Sequence, residues 1–501
     1  MRRRDRQVTA TTEKTENGKA RRISALDLTT GKPLRRILVF MLPLLVGNLF
    51  QQLYSMVDTV VVGQTLGSAA LSGVGSTGAI CFLILGFVSG LTQGFSVVTS
   101  QRRGARDDDG MRRSFAAGIV LTAAVISLLT VVAVFSAKPL LVAMNTYPEY
   151  LPYALEYVTV LFGGMLLSAF YNQFASTLRA IGDSFVPLVI LIASCFVNVA
   201  LDCLFIMTFK MGVGGAAAAT LVSQALSAVA TFVYAWIKYP SLRFSARHFL
   251  IGPKIAIAHL RLGLPMALHY SVVSIGMIVC QTALNTMDPE AITAYVAAGK
   301  IDNFACAAVN SIGAAAATYV GQNYGARRYD RIRLGMKQLT LFSLALCAVL
   351  GATVVGLYKP LTMLFIAKPE QTDSLFRYAL TYLSITSGFY FLLATLCTTR
   401  SALQGMGRGI VALAAAAVEV AVRVVVALIA MNCGSYIIVC MCNCSSWLGA
   451  DIILVPYFLY ILRKYVPLKK RKIEDIRLPD PSVVPMLSEG GGASRRRARR
   501  R

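Results

Sequence analysis

The chain has 501 residues, a mean hydropathy of +0.62, and 56% hydrophobic against only 15% charged residues. That balance excludes an ordinary soluble globular protein and implies a polytopic membrane protein. A formal net charge of +25 suggests nucleic acid in a soluble chain, but here residues 1–33 hold nine Lys/Arg against four Asp/Glu and residues 463–501 hold thirteen against four. The two tails therefore carry fourteen of the 25 excess charges, and short loops between apolar runs carry most of the rest. Such a distribution matches anionic lipid headgroups and topology signals, so no nucleic-acid partner is expected.

Apolar runs of spanning length recur at 37–62, 69–99, 114–135, 154–178, 185–209 and 213–237, then at 260–284, 292–320, 334–357, 378–402, 410–431 and 447–462. A helix needs roughly 20 residues to cross about 30 Å of hydrocarbon, so the pattern predicts twelve transmembrane helices in two groups of six. The predicted organisation is a basic tail over 1–33, an N-terminal lobe over 34–240, a linker over 241–262, a C-terminal lobe over 263–463 and a disordered basic tail over 464–501. The first 33 residues lack an apolar core, so no cleavable signal peptide is expected. Five arginines in SQRRGARDDDGMRR and four in QNYGARRYDRIRLGMK contrast with the turns at 63–68, 288–290 and 432–435, which have no Lys or Arg. Lys/Arg excess marks the cytoplasmic side, which places both termini inside and the chain in the plasma (inner) membrane.

The first run, ILVFMLPLLVGNLFQQLYSMVDTVVVG, contains one formal charge, Asp58. Asn48, Gln51, Gln52, Ser55 and Asp58 fall on one helical stripe and read as lining a polar cavity. An aspartate at that depth costs about 2.5–3.5 kcal/mol on insertion scales, which a structural partner or a bound ion must offset. In the fifth run Ser194, Asn198 and Asp202 are four apart; in the sixth, Thr220, Ser223, Gln224 and Ser227 share a face. If these faces meet, Asp58 and Asp202 share a pocket with Asn198, Thr220 and Tyr54. Two carboxylates in low dielectric need a proton or a cation, and either H+ or Na+ suits these donors.

The halves repeat. Pro43 corresponds to Pro265, Gln101-Gly104-Ala105-Arg106 to Gln322-Gly325-Ala326-Arg327, and LRAIGD from Leu178 to LQGMGR from Leu403, at offsets of 221–225. Six spans per half imply a parallel repeat about an axis along the membrane normal. The 225 offset sets Arg423 against Asn198 and Ala427 against Asp202, so cation chemistry is expected in the first half. Glu419 and Arg423, four apart, are expected to form a structural ion pair. Lys300 is a candidate counter-charge for Asp302, and Asp451 is a further intramembrane acid. Eleven cysteines sit mostly in apolar runs, and Cys433, Cys440, Cys442 and Cys444 have no His, Asp or Glu among them, so no metal site is expected. His248, His259 and His269 form no HExxH pattern, and no enzyme is expected.

LPLLVGNLFQQLYSMVDTVVVG with its internal Asp58, the GARRYD loop, LRAIGDS, and the Asn198–Asp202 spacing with Thr220 beyond resemble the multidrug and toxic compound extrusion (MATE) family over residues 30–465. The resemblance is closest to the bacterial branch with an acidic site in the N-terminal lobe. It implies a two-lobed all-α bundle and a cation site formed by Tyr54, Asp58, Tyr157, Asn198, Asp202 and Thr220, with Na+, if used, at Asp58, Asn198, Asp202 and Thr220. It further implies export of amphipathic, often cationic, small molecules by H+ or Na+ antiport through alternating access, with no cofactor beyond the coupling ion; a monomer is expected. A lipid-precursor flippase of the same superfamily is the alternative.

Overall fold

The computed structural model describes residues 25–144, 146–366 and 372–465, with side chains described throughout except at 56–60 and 68. Predictions for the tails at 1–24 and 466–501 lie outside these residues. Among the described residues every regular element is a helix. Ten helices are long and apolar enough to cross a membrane, and two bent pairs bring the count to twelve. Spans 1 to 6 are Pro33–Leu66, Gly78–Gly104, Asp108–Ala143, the pair Leu151–Gly163 and Met165–Ile181, Phe185–Thr208, and Gly212–Lys238. Spans 7 to 12 are Pro253–Leu284, Pro289–Gly325, Tyr329–Gly356, the pair Asp373–Gly388 and Tyr390–Gly405, Gly409–Cys433, and Tyr436–Tyr465.

The chain forms these helices for local reasons that its ends make plain. Pro33, Pro253 and Pro289 open spans 1, 7 and 8, where a missing amide proton costs nothing. Asp107 caps span 3 by accepting from the Gly110 amide at 2.8 Å, with Asp108 and Asp109 in the first turn beside the positive end of the dipole. Thr372 caps the first half of span 10 through the Leu375 amide at 3.2 Å. The outward faces are apolar: Leu128 and Phe135 of span 3 and Phe196 of span 5 are exposed, which suits a lipid-facing surface and no aqueous one.

Two expectations are corrected. The second run, read as one span from Ala69, breaks at Thr77 into a short helix, Ser68–Ser76, and the span proper from Gly78. Apolar composition continues through the break, while Gly73, Gly75 and Gly78 weaken the helix there. The twelfth span begins at Tyr436, eleven residues before the predicted Trp447, because the Cys-rich segment is helical and packs inward. The bends in spans 4 and 10 come at Gly163 and Gly388, 225 positions apart, and measure 50° and 45°. The internal repeat therefore extends to the kinks.

The lobes meet where side chains are smallest. Span 2 crosses span 7 so closely that a Cβ on Gly94 would lie 2.5 Å from the Gly263 Cα. Small residues at a crossing allow backbone contact that dispersion then rewards. At the end of the bundle carrying the arginine-rich loops, hereafter the basic end, a Cβ on Gly104 would lie 1.8 Å from the Gln322 carbonyl oxygen. The counterpart Gly325 would lie 1.9 Å from that of Gln101. The Gln101 side chain donates to the Gly405 carbonyl and the Gln322 side chain to the Ala180 carbonyl, both at 2.9 Å. Each lobe thus inserts the same glutamine into the other.

Residues 25–31 form a strap across this end. The Leu26 amide donates to the Gly182 carbonyl in the first lobe, and the Leu28 amide to Gln322 Oε1 in the second. Arg331 donates to the carbonyls of Leu28, Thr30 and Gly31, and Leu28 is fully buried.

Candidate functional site

Spans 1, 4, 5 and 6 converge in the first lobe. The Tyr54 hydroxyl of span 1 donates to Asn198 Oδ1 of span 5. Asn198 and Asp202, one turn apart on span 5, are both buried, Asp202 completely. The Asn198 Nδ2 group is buried with no hydrogen-bond partner among the described residues. Directly after Asp202 the helix widens into a π turn over Cys203–Thr208. Widened turns leave backbone groups available to a ligand and recur at functional positions.

Tyr157 of span 4 packs where Val62 of span 1, Ile206 of the π turn and Ala216 of span 6 meet. Position 58 lies on span 1 one helical turn before Val62, but the Asp58 side chain is outside the described set. Thr220 is half-buried and its hydroxyl donates back to the Ala216 carbonyl at 3.2 Å, leaving lone pairs for another donor or a cation. Ser194 donates to the Ser223 carbonyl at 3.3 Å and ties span 5 to span 6. Glu156 accepts from the Gly214 amide at 2.9 Å and anchors the start of span 6.

The remaining stripe of span 1 is divided. Asn48 donates to Ser311 of span 8 at 2.8 Å, so its amide joins the two lobes. Gln51 and Ser55 are exposed and Gln52 is half-buried.

The second lobe has a different polar core. Glu419 receives Arg423 at 3.2 Å, the pair expected from spacing, and receives Arg400 of span 10 more closely, at 2.5 Å. Arg423 continues to Ser446 of span 12 at 2.9 Å. Arg400 also lies 3.2 Å from His269 Nε2 of span 7, and since guanidinium only donates, that nitrogen is the proton-free one. Arg400 is the member that sequence reading missed. The usable signal was an arginine inside a predicted span, which requires an acid on another helix.

Asp302 takes hydrogen bonds from Tyr390 at 2.6 Å and Tyr382 at 3.3 Å. Lys300, read as its counter-charge, is exposed, because residues two apart point to opposite sides of a helix. Asp451 accepts from Thr395 of span 10. No group of three or more His, Cys, Asp or Glu among the described residues has metal-site geometry.

The MatE family model matches residues 43–204 and 265–429, once in each lobe. The probable multidrug resistance protein YpnP of Bacillus subtilis is 28% identical over 310 residues, covering 62% of this chain and 69% of that protein. YoeA, a second probable multidrug resistance protein of that organism, is 26% identical over 328 residues, covering 64% and 70%. Among solved structures, a MOP superfamily transporter from Pyrococcus furiosus superposes with a TM-score of 0.81 at 22% identity, covering 89% of this chain and 99% of that one. An outward-facing multidrug resistance MATE transporter gives 0.80 at 21%, with the same coverage. At these identities the superpositions establish the shared fold.

Proposed function

Since the chain belongs to the MatE family, we propose that it exports amphipathic or cationic small molecules across the plasma membrane by antiport with H+ or Na+. The basic end faces the cytoplasm in this reading, following the Lys/Arg asymmetry of the loops. The names of the Bacillus relatives support multidrug efflux as the substrate class.

The observation that carries the coupling half of the proposal is the Tyr54–Asn198 bond between spans 1 and 5, with the fully buried Asp202 one turn away. A carboxylate at that depth persists only with a proton, a cation or strong donors beside it. Neutralising Asp202 and Asp58 by an incoming ion removes the charge that attracts a cationic substrate, so ion and substrate compete for one pocket. Tyr54 and Asn198 position the acids, Tyr157 closes the pocket from span 4, and Thr220 adds an oxygen lone pair. Alternating exposure of this pocket then converts competition into exchange.

The test is uptake of a fluorescent organic cation into vesicles holding the full chain, driven by an imposed proton or sodium gradient. Asp58→Asn and Asp202→Asn should each strongly lower gradient-driven exchange while leaving insertion and thermal unfolding unchanged. Exchange by both variants at the parental rate would refute the N-lobe site. Lipid scrambling in the same vesicles without cation exchange would refute antiport.

A further inference from the structure

At the basic end, the strap and the two lobes border an open cavity of about 490 Å3, within the size range of small-ligand pockets. It is lined by Thr29 and Thr30 of the strap, Arg106 of the loop after span 2, and Arg327 and Arg328 of the loop after span 8. None of these arginines has a carboxylate within ion-pair distance among the described pairs. The acid nearest Arg106 in sequence, Asp107, is taken by Arg102 at 2.6 Å, and Asp330, two residues beyond Arg328, is exposed in the first turn of span 9.

Arg106 and Arg327 are repeat-related, and both adopt the left-handed backbone conformation at φ +56°. For residues with a Cβ that conformation is uncommon. Here the same turn is used in both lobes and brings both arginines to the cavity. The C-terminal ends of spans 2 and 8 add roughly half a negative charge each, which offsets about one of the three lining arginines. Asp27, on the strap, feels the charge of both Arg103 and Arg106, and counting Arg103 with the lining arginines offsets it. About two positive charges remain, the complement of a phosphate group near neutral pH. The two threonine hydroxyls already donate to Asp27, so recognition falls to the guanidinium forks, which match phosphate oxygens.

We propose that this cavity binds a phosphate-bearing anion, bridging Arg106 of one lobe to Arg327 and Arg328 of the other, and thereby holds the lobes and the strap together at this end. All three contributors must be in place for the cavity to exist, so the anion binds the clasped arrangement and opposes its opening in proportion to occupancy. A free phosphate compound and a lipid headgroup offer the same chemistry. The inference concerns one end of the bundle and does not depend on which ion or substrate is transported.

The experiment follows amide hydrogen exchange of residues 25–31, 101–108 and 322–331 in the full chain, held in nanodiscs of zwitterionic phosphatidylcholine. One arm adds millimolar inorganic pyrophosphate at fixed ionic strength. The other replaces part of the lipid with phosphatidylglycerol. Exchange should slow by about fivefold or more in at least one arm. The slowing should vanish in the double variant Arg106→Gln, Arg327→Gln and persist in Arg247→Gln, Arg333→Gln, which removes two charges outside the cavity. Slowing by pyrophosphate identifies a soluble phosphate ligand, and slowing by phosphatidylglycerol alone identifies a headgroup. No slowing in either arm, or equal slowing in the cavity variant, overturns the proposal.

Discussion

Spans 5 and 11 occupy equivalent places in the two lobes, yet their polar contents are opposite in kind. Span 5 carries Asn198 and Asp202 and ends in a π turn, whereas span 11 carries Arg423 and Ala427 at the matching positions and stays α-helical to Cys433. In the second lobe each buried acid has named internal donors: Glu419 has two arginines, Asp302 two tyrosines, Asp451 a threonine. In the first lobe the Asn198 amide nitrogen is buried with no partner among the described residues, and the backbone widens just after Asp202. One scaffold thus supports an acid–arginine core in one half and a carboxamide–carboxylate pair beside a π turn in the other.

That contrast can be broken at several points. The largest effect is expected from Asp202→Asn, which should lower gradient-driven uptake by about tenfold or more, within the usual span of coupling between sites, with little change in melting temperature. Equal loss of stability and transport would erase the distinction between the lobes. Glu419→Gln should behave in the opposite way. It strands Arg400 and Arg423 inside the bundle and should cost about 3–5 kcal/mol, read as a lowered unfolding temperature in detergent, with ion coupling retained by the folded fraction. Tyr390→Phe removes a hydrogen bond to Asp302 and should cost about 1–3 kcal/mol in the same assay.

The smallest effect concerns the strap. Burial by itself raises the Asp27 carboxyl, but hydrogen bonds from the Thr29 hydroxyl and amide, with the charges of Arg103 and Arg106, hold it below its ordinary value. A carboxyl lowered in the folded state stabilises it above the unfolded-chain value, near pH 4, and the contribution disappears as pH falls through the lower folded value. Asp27→Asn should therefore melt slightly earlier than the parent at pH 7, and the two curves should merge on acidification. A gap that widens toward low pH would contradict the assignment.

Much of this molecule is legible in residue order because the membrane enforces it. Apolar length gives the spans, and a duplicated chain shows itself through Pro43 and Pro265 or the two GAR turns. Local pairing such as Glu419 with Arg423 follows from helical spacing. What spacing cannot reveal is which helices touch. Arg400 joins Glu419 from another span, Asn48 finds Ser311 across the lobe boundary, and Asp302 is satisfied by tyrosines some eighty residues on. The break at Thr77 and the helical start at Tyr436 escaped for a different reason, since hydropathy reports burial in lipid and says little about backbone continuity.

The reciprocal seat of Gly104 and Gly325 constrains how the two halves of the gene can diverge. The atom facing each glycine is a main-chain carbonyl oxygen of the other half, and no codon change at that facing position removes a carbonyl. A bulkier residue on either side has no single-substitution remedy across the boundary, so descendants of the original duplication should keep both glycines together or relinquish this way of joining.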